Sequence, residues 1–238
     1  RHHYSNSIYL LLTSDLGPGK EMLLTPNADS LPKATISNIS DSYAYYNRER
    51  YNLVASGLRW YDNRMTTNSI DSIAFSFNHI VDGKPVKVLA SMAGRKINGT
   101  ASAFFRFRYM GHDVAACDII RPYDDYRYAD FREKTFSFIP LSPTFHLAYG
   151  LTSSNISTEG YINKICLNAR EWLNYTPKRQ LHCRDSRTAD SAVVVFEIIN
   201  NGAAPMVMDI TNPTNPFLVG VNHTDTASRF AVRPQGTI

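Results

Sequence analysis

The run Ala103-Phe104-Phe105-Arg106-Phe107-Arg108-Tyr109 decides the fold class. Read with a period of two, it sets Phe105, Phe107 and Tyr109 on one face and Phe104, Arg106 and Arg108 on the other. Successive side chains on a pleated backbone point to opposite sides, so this is the pattern of a half-buried strand. The pattern recurs along the chain. Ser72 to His79 places Ile73, Phe75 and Phe77 together, and Thr135 to Ile139 sets Phe136 and Phe138 against Thr135 and Ser137. Phe145, Leu147 and Tyr149 share a face in the next run. The composition of Ile162 to Leu173 would also suit a helix, but its alternation after Gly160 predicts a strand. Val193 to Ile199 is almost wholly apolar, as expected of a strand covered on both faces. Asp82-Gly83 makes Ile70 to Met92 read as strand, turn, strand, and Asn200-Asn201-Gly202 turns toward a return strand, Met206 to Ile210.

Strands at this spacing, separated by Gly, Pro and Asn, predict an all-β fold. The expected architecture is an antiparallel sandwich, jelly-roll-like, with an N-terminal β-hairpin extension. Residues 1–45 read as that hairpin and a connector from a preceding domain: Tyr4 to Thr13, a Gly17-Pro18-Gly19 turn, Glu21 to Thr25, then a Pro/Ser/Asn-rich stretch from Pro26 to Ser42. Residues 46–202 read as the sandwich. Residues 203–238 read as the return strand and a rigid linker toward a downstream domain, because each Pro of Asn212-Pro213-Thr214-Asn215-Pro216 fixes its own φ and biases its predecessor toward extended geometry.

Composition excludes several functions. At 43% hydrophobic and 19% charged residues the chain is globular rather than disordered. The net charge of +4 comes from scattered Lys and Arg, which form no stripe for a nucleic acid. No apolar run approaches the ~20 residues of a membrane helix. The chain starts at Arg1 without a signal peptide, so it reads as an internal segment of a longer exported protein. Sequons occur at Asn38, Asn98, Asn155, Asn174 and Asn222, and carry little weight in a chain this rich in Ser, Thr and Asn.

Candidate chemistry is sparse. Cys117, Cys166 and Cys183 show no CxxC or Cys/His ligand spacing; free buried thiols are the expected state, with a Cys117–Cys166 bridge open in an oxidising compartment. A nucleophilic dyad would pair His182 with Cys183, or His112 with Cys117 oriented by Asp113 or Asp118. Adjacent strand residues face opposite ways, which disfavours the first. Asp124, Asp125 and Asp130 could contribute to a calcium loop but fall short of its six to eight oxygens, and Arg121, Arg127 and Arg132 balance them. Arg184, Asp185, Arg187 and Asp190 read as a turn held by ion pairs. Trp60-Tyr61 and Trp172 could stack on sugars, although packing is the commoner fate of a Trp. No residue is therefore assigned a catalytic, cofactor-binding or metal-binding role.

Three stretches carry a resemblance: Ser56-Gly57-Leu58-Arg59-Trp60-Tyr61, Tyr128-Ala129-Asp130-Phe131-Arg132-Glu133-Lys134-Thr135-Phe136-Ser137-Phe138, and Gly160 to Arg170 continuing through Arg184-Asp185-Ser186-Arg187 to Met208-Asp209-Ile210-Thr211-Asn212-Pro213-Thr214-Asn215-Pro216. Together with His2-His3-Tyr4 and Gly17-Pro18-Gly19-Lys20, this ordered series resembles the gingipain-like (C25 family) cysteine-peptidase sortases of type IX secretion in Bacteroidetes, upstream of their peptidase domain. Asp62 stands where Gly is expected, and Cys166 and His182 where acidic or aromatic residues are usual. The resemblance implies a parent that removes the C-terminal signal of secreted cargo at the cell surface, with its catalytic Cys and His in a later domain. It implies as partners that downstream domain and the outer-membrane barrel PorV, with no nucleic acid and no membrane span. A carbohydrate-binding or adhesin sandwich and a viral jelly-roll capsid protein are the alternative readings.

Overall fold

The computed structural model describes residues 17, 19, 21–26, 34–55, 59–96, 102–119 and 128–233. In chain order the strands are β1 (Leu24–Thr25), β2 (Thr35–Ser37), β3 (Ile39–Tyr46), β4 (Arg64–Thr66), β5 (Ile70–Ser76), β6 (Val86–Lys96), β7 (Ala103–Tyr109) and β8 (His112–Asp118). There follow β9 (Asp130–Phe138), β10 (Thr144–Ser153), β11 (Thr158–Trp172), β12 (Val194–Ile199), β13 (Val207–Asp209), β14 (Phe217–Val219), β15 (Asn222–His223) and β16 (Ala227–Val232). The described residues contain no α-helix, only a 3-10 turn at Ser186–Thr188.

Contacts divide the chain into two units, Ile39–Trp172 and Arg1–Asn38 with Leu173–Ile238. In the first, one sheet runs β3-β11-β6-β9, with β4 also on β11, and the other β5-β10-β7-β8. From β5 onward every chain step crosses between the sheets except β7 to β8, which pair directly. Their turn, Met110-Gly111, has positive φ at both residues, the twist a two-residue hairpin requires. This is jelly-roll order, eight strands wound from interlocking Greek keys into two sheets, with β4 added to one of them. The all-β, antiparallel and jelly-roll-like expectation therefore holds for this unit.

The period-two faces meet between the sheets. Phe105, Phe107 and Leu147 from one sheet, and Val88, Ile165 and Leu167 from the other, are buried in a single cluster. Phe107 lies 5.0 Å from Phe136 and Tyr109 4.8 Å from Phe138, centroid to centroid. Gly160 is required at its position in β11, because a Cβ there would stand 2.7 Å from the Phe105 ring.

In the second unit one sheet runs β15-β16-β12-β2 and the other β1-β14-β13. Leu173, Val194, Phe196, Ile198, Val219 and Phe230 form its main cluster, while Val193, Val195 and Ala231 are buried in another. Strand β12 is thus covered on both faces, as its apolar run predicts.

Several expectations need correction. The Asp82-Gly83 turn exists, with Gly83 at φ +67, but its flanking strands do not pair. Strand β5 joins β10, and β6 joins β11 and β9 in the opposite sheet. The intervening chain is held to β11 instead: the Val81 amide donates to the Arg170 carbonyl, and the Trp172 amide to that of His79. Similarly, β13 does not return onto β12 but pairs with β14. The Asn212–Pro216 segment is the loop of that hairpin rather than a linker, since the Asn212 side chain caps the Thr214 amide at 3.1 Å and turns the chain. Strands β15 and β16 follow it. The Pro26–Ser42 connector contains β2 and the start of β3. The expected 46–202 sandwich also differs from the observed unit, because β3 begins at Ile39 and β12 belongs to the other sheet system. The first arm of the expected hairpin, Tyr4 to Thr13, lies outside the described residues. In its second arm, Leu24–Thr25 pairs in parallel with β14.

Candidate functional site

The β5-β10-β7-β8 sheet turns Arg106 and Arg108 away from the core. Two residues apart on one strand, their guanidinium groups project from the same face. Both engage Asp113 on neighbouring β8: Arg106 Nη1 donates to Oδ2 at 2.6 Å and Arg108 Nε to Oδ1 at 2.7 Å. These bonds hold the Asp113 carboxyl below the usual carboxylate range. A β-bulge makes the pairing possible. The β7–β8 register shifts between Phe107 and Arg108, so Asp113 and Ala115 oppose consecutive residues of β7. Beside the pair opens a cleft of about 220 Å³, lined by Asn68, Ser69, Ile70, Arg106, Arg108, Tyr149, Gly150, Leu151 and Thr152.

The opposite sheet carries a polar network at the β4–β11–β6 end. Glu159 is buried and accepts from Tyr161 Oη at 2.8 Å, with Arg64 and Arg95 each 3.5 Å away. Arg95 also donates to Tyr128 Oη at 2.7 Å and stacks over that ring. Tyr51 and Tyr61 pack around Tyr161. Burial first, then the Glu159 carboxylate, pushes the Tyr161 phenol well above its ordinary value. Asp62, which is buried, accepts from Tyr46 Oη, and burial followed by this bond pushes Tyr46 up to about 12. These groups tie Tyr51, Tyr61 and Asp62 to the sheet. A buried carboxylate closed off by arginine and tyrosine is structural rather than available to a substrate.

The His112–Cys117 dyad is not assembled. His112 and Cys117 belong to one strand, five residues and therefore roughly 16 Å apart. Cys117 instead packs against the sandwich core, where burial raises its thiol. Cys183 packs on the core of the other unit, and burial pushes its thiol up to about 12. A nucleophilic cysteine needs the reverse shift. Cys166 lies on the central strand of the other sheet, 3.5 Å from Tyr43 Oη. All three thiols are free, so the Cys117–Cys166 bridge does not form.

This gives a direct expectation. With iodoacetamide near pH 8, native Cys183 should react about 10³-fold more slowly than in the unfolded chain, whose thiol pKa is ~8.5. Equal rates would contradict the assignment. Because the folded pKa is the higher one, the associated stability is present below ~8.5 and is lost as pH rises toward about 12.

Asp130 is taken by Arg132, whose Nη2 stands 2.8 Å away; Asp124 and Asp125 lie outside the described residues. Asp185 forms the expected ion-paired turn. It is buried, accepts from Arg187 Nη2 at 3.0 Å and Ser37 Oγ at 2.7 Å, and caps the 3-10 turn. Ser37, far away in sequence, was not foreseeable as its partner. Trp60 and Trp172 are half-exposed. Trp60 sits near Ile162, whose carbonyl binds the Asp62 amide, and Trp172 ends the same strand. Ten residues of strand separate these points by roughly 33 Å, so the two indoles do not form one sugar platform. What sequence reasoning missed is the Arg106–Arg108–Asp113 group. The two arginines were legible as one face, but their carboxylate depends on the bulge.

These features define a jelly-roll β-sandwich. The fold is that of a region of PorU. Latent dimeric PorU from Porphyromonas gingivalis superposes with a TM-score of 0.75 at 15% identity, over 91% of this chain. The chain spans about a fifth, 21%, of that protein. An infectious bursal disease virus particle protein aligns over 56% of this chain and 36% of its own at 10% identity; its TM-score of 0.23 supports no conclusion. No family model and no curated protein matches by sequence.

Proposed function

We propose that the chain is a non-catalytic β region of a larger PorU-like exported protein. In this reading the parent is a surface sortase of the C25 type, held at the outer membrane. This region positions the peptidase domain that follows and offers a docking face to partners such as PorV. The observation that carries the reading is the fold likeness over 91% of this chain and 21% of latent PorU. The half-buried thiols of Cys117 and Cys183, whose pKa values burial raises, support a structural role for these cysteines. Among the described residues no helix is long and apolar enough to cross a membrane, and attachment in this reading comes from partners.

The test is made in the parent protein with Cys117, Cys166 and Cys183 all changed to Ser. Cleavage of a cargo C-terminal signal peptide should persist at near wild-type rate if the variant is folded. Its loss in a folded variant, judged by unchanged circular dichroism, would overturn the proposal.

A further inference from the structure

We propose that the cleft beside Arg106 and Arg108 binds one oxyanion, a carboxylate or phosphate, on a ligand no larger than a single sugar or amino-acid residue. This inference rests on the geometry of the Ile39–Trp172 unit alone and stands whether or not the parent is a sortase.

Charge is the first argument. Two guanidinium groups share one carboxylate, so the cluster keeps one net positive charge. None of the residues lining the cleft is acidic. An entering anion therefore meets both arginines from the side opposite to the carboxylate that holds them.

Donor geometry is the second. Asp113 takes one N–H direction from each guanidinium, leaving further N–H groups on rigidly held forks. Asp113 so acts as a positioning residue: it fixes two flexible side chains before a ligand arrives, which lowers the ordering cost of binding. The Asn68 side-chain carboxamide and the Thr152 hydroxyl line the same cleft and add neutral hydrogen-bonding groups to it.

Shape is the third. Asn68 adopts φ +64 in the turn between β4 and β5, and its backbone amide is anchored to the Leu151 carbonyl at 2.7 Å. Gly150 forms the floor, where a Cβ would stand 2.8 Å from the Ser69 carbonyl oxygen. Ile70, 60% exposed, adds an apolar wall. A volume of about 220 Å³ suits one small polar residue and its acidic group.

The experiment is an NMR titration of the full chain at low ionic strength with inorganic phosphate, glucuronate or N-acetylglycine, and with glucose as the neutral comparison. Saturable amide shifts confined to residues 68–70, 106–108 and 150–152 are expected with at least one anion and not with glucose. The tightest anion identifies the source of the acidic group. Arg106→Gln and Arg108→Gln should each weaken binding about tenfold or more, the loss of one charge-assisted hydrogen bond. Spectra unchanged elsewhere would show that the variants are folded. No saturable shift with any anion, equal binding of glucose, or shifts scattered over other basic surfaces would overturn the proposal. So would wild-type affinity in both variants.

Discussion

Phe105→Ala should destabilise the Ile39–Trp172 unit by ~3–5 kcal/mol, the cost of removing a large, fully buried aromatic side chain and leaving a cavity. Phe105 has no exposed surface, and its ring crosses from β7 to lie against Gly160 on the facing sheet. Gly160→Ala acts at the same point with the opposite geometry. The new Cβ would stand 2.7 Å from the ring, and such overpacking costs ~1–3 kcal/mol. The two sites touch, so their effects should not add. In a Phe105→Leu background Gly160→Ala should cost much less than in the native protein. Both tryptophans of the chain, Trp60 and Trp172, lie in this unit, so indole fluorescence during denaturant unfolding follows it specifically. A loss below ~1 kcal/mol for Phe105→Ala, with strict additivity in the double variant, would mean that the sheets do not face each other there.

Glu159→Ala has the next largest expected effect. It removes the carboxylate that Arg64, Arg95 and Tyr161 share, and takes an ion-pair partner from a guanidinium whose side chain is only 17% exposed. Truncating one member of a buried ion pair costs ~3–5 kcal/mol, most of it from the charge left behind. Arg95 keeps its bond to Tyr128, which places the expectation at the lower end. Glu159→Gln retains an acceptor for Tyr161 and loses only the charge, so it should fall between Ala and the native protein. The same fluorescence-detected unfolding gives the order. A Gln variant as weak as the Ala variant would show that charge, rather than the tyrosine hydrogen bond, holds the network.

Strands whose alternation is unbroken were legible in the sequence: β5, β7, β9 and β10 fall where apolar and aromatic residues recur at every second position, and β11 was legible beyond its own bulge at Ile162–Lys164. Strand β8 was not, because its bulge places Asp113 and Ala115 opposite adjacent β7 residues and erases the period. Strand β2 was hidden in Ser- and Asn-rich text, since it is an edge strand in parallel pairing with β12. Pairing partners were the least legible feature. Asp82-Gly83 has hairpin chemistry, yet the strands that flank it enter different sheets, because contacts with β11 capture the chain between them. A local turn residue fixes a local φ and says nothing about which strand competes for the edge. The same limit applied to the site. Arg106 and Arg108 could be placed on one face by counting, whereas Asn68, Thr152 and Asp113 come from strands and turns that only the fold brings alongside.

The functional reading rests on the jelly-roll order, and engineered disulfides test that order most directly. In a background with Cys117, Cys166 and Cys183 changed to Ser, Ala74→Cys with His146→Cys places two thiols directly opposite each other on β5 and β10. Ser76→Cys with Leu89→Cys would be opposite only if Asp82-Gly83 joined a hairpin. Opposed strand residues stand ~4.5–5.5 Å apart at Cα, within disulfide range. Mild oxidation should close the first pair rapidly in the folded protein and leave the second as free thiols. Closure of the second pair with the first left open would contradict the sandwich, and with it the likeness on which the proposed function depends.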